Sequence, residues 1–549
     1  MLYLMPFLVA MVVTIAGLPV FGRFAASWGV VDKPGIRKVH ALPIPRVGGM
    51  AMILGVLVAA LVVIPMQRTD RCFLIAAVVL ALFGAADDRF DLDYRVKLLG
   101  QFIAVSIVVL VGDIQIHSIT LDERIFLPQW ISIPLTVLFL VGITNAINLA
   151  DGLDGLAAGT TFLCLGALAI LAHGSGEIVS AALALAFAGA ILGFLRFNTF
   201  PASIFMGDAG SQLLGFAVGV LSLRATQSGT TAVSAATPIL LLALPILDTL
   251  SVMVQRIGEG RSPFSPDKNH IHHKLLAFGF DHHEAVMVIY AIQADLFLLA
   301  YWLRYESDLT ILGVVTAFFI VAITIFQVAS RRGWRFRHGE PQTRDSALAR
   351  VLSRLREPQH LPRWSYLAVA IAVGIYALLI LSRTQDMSRD VQWLLAGLLA
   401  VTTTLLVVKR GKPLNVIEKA AFYTTAAILV YLDSVVIPER QLFVDFGWAA
   451  IGIAAVATAL RLRLTADRRF VLTPLDLIVL FVALVVPSLQ GSLALPGGGA
   501  AGIAKLVAIF YAIEVLISRA ELGTAWLRMS VAVILAGLVL RPLLFLPWP

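Results

Sequence analysis

Apolar residues in this chain neither alternate nor keep to one helical face. They gather in unbroken runs, most of about 17–22 residues, the length a helix needs to cross a ~30 Å hydrocarbon core. Runs lie near 2–21, 47–66, 72–86, 98–112, 131–149, 156–172, 178–195, 212–224, 236–255, 286–303 and 309–329. A second series lies near 365–382, 391–408, 418–437, 444–461, 470–488, 499–517 and 527–546. Eleven spans, a polar break and seven more predict an all-α, polytopic integral membrane protein of about eighteen transmembrane helices. The first run lacks a small-residue cleavage site and reads as a retained helix rather than a signal peptide.

Composition agrees: 59% of residues are hydrophobic and 14% charged, against roughly 45–50% and about 25% in a soluble domain. Hardly any sequence remains for a soluble domain. The expected organisation is a membrane domain over 1–330, a basic linker over 331–364 and a second membrane domain of open role over 365–549. Lys and Arg set the orientation. Loops after odd-numbered spans, with the linker, carry twenty-two, against five after even-numbered spans. The odd-span loops are therefore expected in the cytoplasm and both termini outside. The net charge of +8 follows from the same bias and calls for no nucleic acid. Cys72 and Cys164 lie in apolar runs and read as packing residues.

Polar residues collect on one side. "VDKPGIRKVHALPIPRVGG" (31–49), "ADDRFDLDYRVKLLGQ" (86–101), "NLADGLDG" (148–155), "RFNTFPASIFMGDAGSQ" (196–212) and "RSPFSPDKNHIHHKL" (261–275) all follow odd spans. The outward loops hold little besides 113–130, which alternates weakly and predicts a small hairpin. Such one-sidedness points to a site at the cytoplasmic interface and argues against a conduction path. A lipid-linked glycan transporter or flippase is the rival of another class, kept mainly for the last seven spans.

Asn145, Asn148, Asp151 and Asp154 recur every three residues. On an α-helix each step slips by 60°, so they converge better if the segment tightens or breaks at Gly152 and Gly155. A helix merely capped by Asp154 explains one aspartate and neither asparagine. Asp87 and Asp88 place adjacent like charges at a helix end, where a cation such as Lys97 or a divalent metal favours joint ionisation. "MGDAGS" sets Asp208 among glycines, which admits a close anion. "HIHH" has no cysteine or HExxH helix beside it and reads as a cationic phosphate-binding patch with Arg261, Lys268 and Lys274. Asp248, within span nine, reads as a structural pairing residue, with Arg256 a candidate partner. Carboxylates, carboxamides and basic residues at a membrane interface suit hard-metal chemistry on phosphates.

These five motifs, in this order over residues 1–330, resemble the polyprenyl-phosphate N-acetylhexosamine-1-phosphate transferase family. The resemblance implies eleven helices and transfer of a sugar 1-phosphate from a UDP-HexNAc to polyprenyl (undecaprenyl) phosphate, with release of UMP. It implies dependence on Mg²⁺, with Mn²⁺ as a substitute, and Asp208 and Asn148 as metal ligands. Asp87, Asp88, Lys97, Asp151, Asp154, His272 and His273 match catalytic positions. Asn145, Asn148, Gly152, Leu153, Asn198, Phe205, His270, Lys38 and Arg46 match substrate-binding positions, with Asn198 and Phe205 near uridine. The relative that uses UDP-MurNAc-pentapeptide carries three consecutive histidines followed by Phe-Glu. "HIHHKL" after "RSPFSPD" favours the HexNAc branch and UDP-GlcNAc. Membrane lipids are the other expected partners, and a homodimer is one option for an open oligomeric state. The linker, with nine arginines and no lysine, suits a basic amphipathic helix on anionic lipid.

Overall fold

The computed structural model describes residues 3–32, 43–121, 123–228, 231–262, 269–336, 360–383, 387, 389–408, 416–435, 441–464, 474, 477–478, 481, 499–519 and 524–544. Contacts divide the chain into two compact units, Met1–His338 with Leu472–Ile478, and Gly339–Val471 with Val479–Pro549.

The first unit runs α1 (Leu4–Trp28), α2 (Gly48–Val63), α3 (Arg68–Phe90), α4 (Tyr94–Ser106, continued by a π-turn to Val111), α5 (Gln129–Ala150), α6 (Leu156–Gly174), α7 (Ile178–Asn198) and α8 (Gly207–Gln227). It continues with α9 (Thr237–Leu241), α10 (Ala243–Gly258), α11 (Ile271–Ala277), α12 (His282–Trp302) and α13 (Asp308–Arg331). Local signals fix the starts. Gln67 and Asp70 form a capping box on α3, Asp93 accepts from the Arg95 amide at α4, and Asp281 with Glu284 caps α12.

Helix α8 is the axis of the unit. It is buried on nearly every face from Ala209 to Thr226, as a helix apolar all round must be. Helices α3, α5 and α6 pack along it, while α1 lies against α2 and α7. Each of the eleven expected spans has a helix, but the ninth is broken into α9 and α10. Pro245 lacks an amide and cannot donate to Leu241, one turn earlier. The buried Gln293 of α12 supplies that bond instead, its Nε2 donating to Leu241 O at 2.9 Å. The expected outward hairpin is present as Ser118–Thr120 paired with Arg124–Phe126. A second ribbon, Val31–Asp32 with Ile44–Pro45, has no signal in the sequence pattern.

The second unit contains helices His360–Arg383, Arg389–Val408, Val416–Val435, Gln441–Leu464, Gly499–Arg519 and Thr524–Leu544. The span expected at 470–488 lies largely outside the described residues, as does the linker from residue 337 to 359. Buried ion pairs cross its core: Arg528 Nε to Glu418 Oε1 at 2.7 Å, and Lys505 Nζ to Asp433 Oδ2 at 2.6 Å. Nine of the described helices are long and apolar enough to cross a membrane, and further apolar helices are shorter. This is a multi-pass membrane protein.

Candidate active site

The site is built on the first turn of α8. Gly207 has φ +70°, a conformation that favours glycine, and any Cβ there would run into the Asp88 carboxylate. That carboxylate takes two amides that the helix start leaves without partners: Asp208 N to Oδ1 at 2.9 Å and Ala209 N to Oδ2 at 3.1 Å. The anion that the glycine-flanked turn admits is therefore Asp88 itself. Gly49 of α2 and Gly84 of α3 press onto the same turn, where Cβ atoms would strike the backbone of Gly210 and Ala209.

Held in this way, the Asp208 side chain turns toward α4 and α5. Its Oδ1 accepts from Asn148 Nδ2 at 2.7 Å, and its Oδ2 lies 3.2 Å from Lys97 Nζ. Lys97 also reaches Asp87 Oδ2 at 2.5 Å, while Asp87 Oδ1 accepts from the Leu92 amide at 2.8 Å. Asp87 is buried, whereas Lys97 and Asp208 are about a third exposed, so the second pair faces the opening. Asn148 also donates to Ser211 Oγ at 2.7 Å. Both donations come from its NH₂, which leaves the carbonyl oxygen as its remaining ligand atom.

The 145–155 segment does not tighten. Asn145 and Asn148 ride on regular α5, and the chain turns at Asp151 before α6 begins behind Gly155, at φ +79°. Asp154 does not cap α6: its Oδ2 accepts from Ala202 N at 2.9 Å, and its own amide donates to His282 Nε2 at 3.0 Å. Leu153 closes the turn by accepting from Leu156 N at 3.0 Å. Gly152 is required for a different reason, because the His272 ring fills the place of its Cβ. That ring packs against its neighbours, with centroids 4.2 Å from His273 and 5.8 Å from His270. His270 is anchored from the membrane side: Nδ1 lies 2.8 Å from Asp248 Oδ2, and the Ile271 amide donates to Asp248 Oδ1 at 2.7 Å. Asp248 is thus a structural pairing residue, and what it holds is the histidine loop.

Charge is unevenly spread. Asp87, Asp88, Asp151, Asp154 and Asp208 stand against Lys97 and Arg46, within electrostatic reach of one another. Loss of water and the charges of Asp208, Asp88 and Asp154 push the Asp151 carboxyl up, with Arg46 opposing. The residue itself is exposed, so its like-charged neighbours are the stronger cause. His272 moves the other way, down to about 4, through burial first and the adjacent His273 second. It is a neutral packing ring near pH 7 and adds no positive charge. An excess of carboxylates with an available Asp208–Asn148 oxygen pair suits a hard cation such as Mg²⁺, which prefers one or two carboxylates plus ligand oxygens.

Not every expected residue faces the opening. Asn198 is buried, with Oδ1 accepting from Gly155 N at 2.9 Å and Nδ2 donating to Ile204 O at 3.0 Å. Both ends of its amide hold the start of α6 to the loop before α8. Asn145 is tied to Gln101. The Phe205 backbone joins the loop to Pro45 and Gly48, at 2.8 and 3.0 Å, and its ring is half-buried. Arg46 pairs with Asp32 on the ribbon, and Lys38 lies outside the described residues. Sequence reasoning gave no role to Gln101, Ser211 or Gln212, although Gln101 and Gln212 end two of the motifs. Phe200, 40% exposed and stacked at 4.5 Å on His282, lies beside the Asp154 turn, whose amide His282 accepts.

A sequence model described as Glycosyl transferase family 4 matches residues 71–226, which include Asp87, Asp88, Lys97, Asn148 and Asp208. A Bacillus subtilis protein named "Probable undecaprenyl-phosphate N-acetylglucosaminyl 1-phosphate transferase" is 39% identical over 288 residues, 52% of this chain and 80% of the relative. The chain belongs to the polyprenyl-phosphate N-acetylhexosamine-1-phosphate transferase family. Two further relatives of this transferase cover similar shares. The Mycobacterium tuberculosis decaprenyl-phosphate N-acetylglucosaminephosphotransferase is 36% identical over 48% of this chain and 74% of its own length. The Escherichia coli undecaprenyl-phosphate alpha-N-acetylglucosaminyl 1-phosphate transferase is 31% identical over 57% and 87%. The chain is accordingly a phospho-sugar transferase.

Proposed function

We propose that this enzyme transfers N-acetylglucosamine 1-phosphate from UDP-GlcNAc to a polyprenyl phosphate, undecaprenyl phosphate foremost, and so starts a cell-envelope polysaccharide. The named relatives support the donor and acceptor, and the "HIHHKL" loop supports the HexNAc branch. The single observation that carries the chemistry is Lys97 Nζ between Asp87 and Asp208, at 2.5 and 3.2 Å, with Asn148 on the far side of Asp208. An ammonium fixed by two carboxylates beside an oxygen-rich pair fits a pyrophosphate undergoing displacement.

An oxygen of the lipid phosphate attacks the β-phosphorus of the donor, the bond from that phosphorus to the bridging oxygen breaks, and UMP leaves with that oxygen and the electron pair. Mg²⁺, or Mn²⁺ in its place, would be held by Asp208 and Asn148 and would neutralise charge on the pyrophosphate oxygens. Lys97 offers a preorganised positive charge as charge grows on the leaving phosphate. The acceptor phosphate is already largely ionised near pH 7, so the reaction needs no strong base. Asp87 is committed to Lys97 and the Leu92 amide, and Asp88 to two amides of α8. Covalent attack by either would first have to release those partners, which favours direct displacement with the pair as organising groups. Positive-inside counting supports a site on the cytoplasmic face, where UDP-sugars are found.

The test is UMP release by purified protein with polyprenyl phosphate and UDP-GlcNAc, UDP-GalNAc or UDP-MurNAc-pentapeptide. UDP-GlcNAc is expected to be the best donor. Release with UDP-MurNAc-pentapeptide alone would overturn the assignment.

A further inference from the structure

One turn below the reacting residues lies a second layer of side chains. Lys97, Asn148 and Asp208 each have a carboxamide one helical turn deeper on the same face: Gln101 at +4, Asn145 at −3 and Gln212 at +4. The signs differ because α5 runs toward the site whereas α4 and α8 run away from it. All three carboxamides meet. Gln101 Nε2 donates to Asn145 Oδ1 at 3.3 Å and to Gln212 Oε1 at 3.2 Å. Asn145 Nδ2 returns a bond to Gln101 Oε1 at 2.7 Å and a second to Val141 O at 2.8 Å. Gln101 and Gln212 are each 2% exposed. Three neutral amides in an apolar bundle are costly unless they satisfy one another, and any sliding or rotation of one helix breaks the set.

Resting on the proposed metal site at Asp208 and Asn148, we infer that Gln101, Asn145 and Gln212 form a positioning triad. It locks α4, α5 and α8 so that Lys97, Asn148 and Asp208 keep the spacing a divalent cation and a pyrophosphate require. Asn145 then acts through Asn148 and does not itself contact the donor. Neutral amides fit this position, because a carboxylate here would add a sixth negative charge and an apolar side chain would leave the helices free to slip.

The experiment uses the full chain, with Mn²⁺ as the spectroscopic probe and UMP present. Gln101→Met and Gln212→Met keep side-chain length and remove the hydrogen bonds. Mn²⁺ titration followed by electron paramagnetic resonance is expected to show binding weakened about tenfold, in the range for groups that orient metal ligands. kcat should fall while KM for the lipid acceptor stays unchanged. The exchange Gln101→Asn with Asn145→Gln rebuilds the amide pair from swapped partners and should recover most of the loss. Asp208→Asn is the control. If it abolishes Mn²⁺ binding while both methionine variants and the exchange bind as the parent does, the triad is merely structural and this inference fails. If Asp208→Asn also binds normally, the metal-site reading falls instead.

Discussion

Asp88 grips the two amides that open the helix of Asp208, so one aspartate of the adjacent pair sets the aim of the Asp208 carboxylate. Asp88→Asn keeps one acceptor oxygen and turns an NH₂ toward the other amide. Turnover at saturating substrates should fall tenfold or more, as is typical when an orienting partner is lost. Steady-state kinetics alongside thermal unfolding checks it; unchanged kcat would show that α8 needs no such clamp.

Asp208→Asn should leave the fold intact and remove most metal-dependent turnover, because a neutral amide binds a hard cation far less well. Activity against Mg²⁺ concentration in monodisperse protein is the measurement. Near-normal turnover with an unchanged Mg²⁺ optimum would remove Asp208 from the site.

Lys97→Met strips the cation from a buried Asp87 and should lower both activity and the midpoint of thermal unfolding. Adding Asp87→Asn to that variant should restore stability, since the stranded charge is gone, but not activity. Additive stability losses across this double-mutant cycle would mean that the 2.5 Å contact carries no coupling.

Much of this was legible beforehand. Unbroken apolar runs gave a helix for each of the eleven expected spans, and the one-sided motifs put Asp87, Lys97, Asn148 and Asp208 at the same face of the membrane. The partners within that set were not legible. Nothing in "DD" says that Asp87 takes the lysine and Asp88 the helix start, because the choice depends on how α3 packs against α8. Asn198 reads as a ligand contact by motif, yet it is consumed by Gly155 and Ile204, twisted loops that spacing alone does not reveal. The break in the ninth span was signalled by Pro238 and Pro245, but the apolar run around them hid it.

His272 should make stability depend on acidity. Its imidazole titrates near 6.5 in the unfolded chain and about 4 in the folded one. Above 6.5 neither state carries the proton and there is no penalty. Between 6.5 and 4 the unfolded chain takes it up first, so stability falls as pH falls, by about 3 kcal/mol at full effect. Thermal unfolding from pH 7.5 to 4.5 should show a steeper loss for the parent than for His272→Gln. Parallel curves would exclude the ring as the source.

Topology is open to direct labelling. In a background with Cys72→Ala and Cys164→Ala, cysteines at Asp93 and Ser262 should react only from the cytoplasmic side, and one at Glu123 only from outside. Labelling of position 262 from outside would put the site on the wrong face for cytosolic nucleotide sugars.

Gly49 and Gly84 meet the first turn of α8, and Gly207 within that turn meets Asp88, so closely that even a methyl group has nowhere to go. In a saturation mutagenesis screen scored on growth, these three positions should be as intolerant as Asp208, although none of them carries a side chain. Intolerance would then report tolerances of assembly rather than chemistry. The two kinds separate only in a screen that reads protein abundance beside activity, where the glycine variants vanish from the membrane and the Asp208 variants remain.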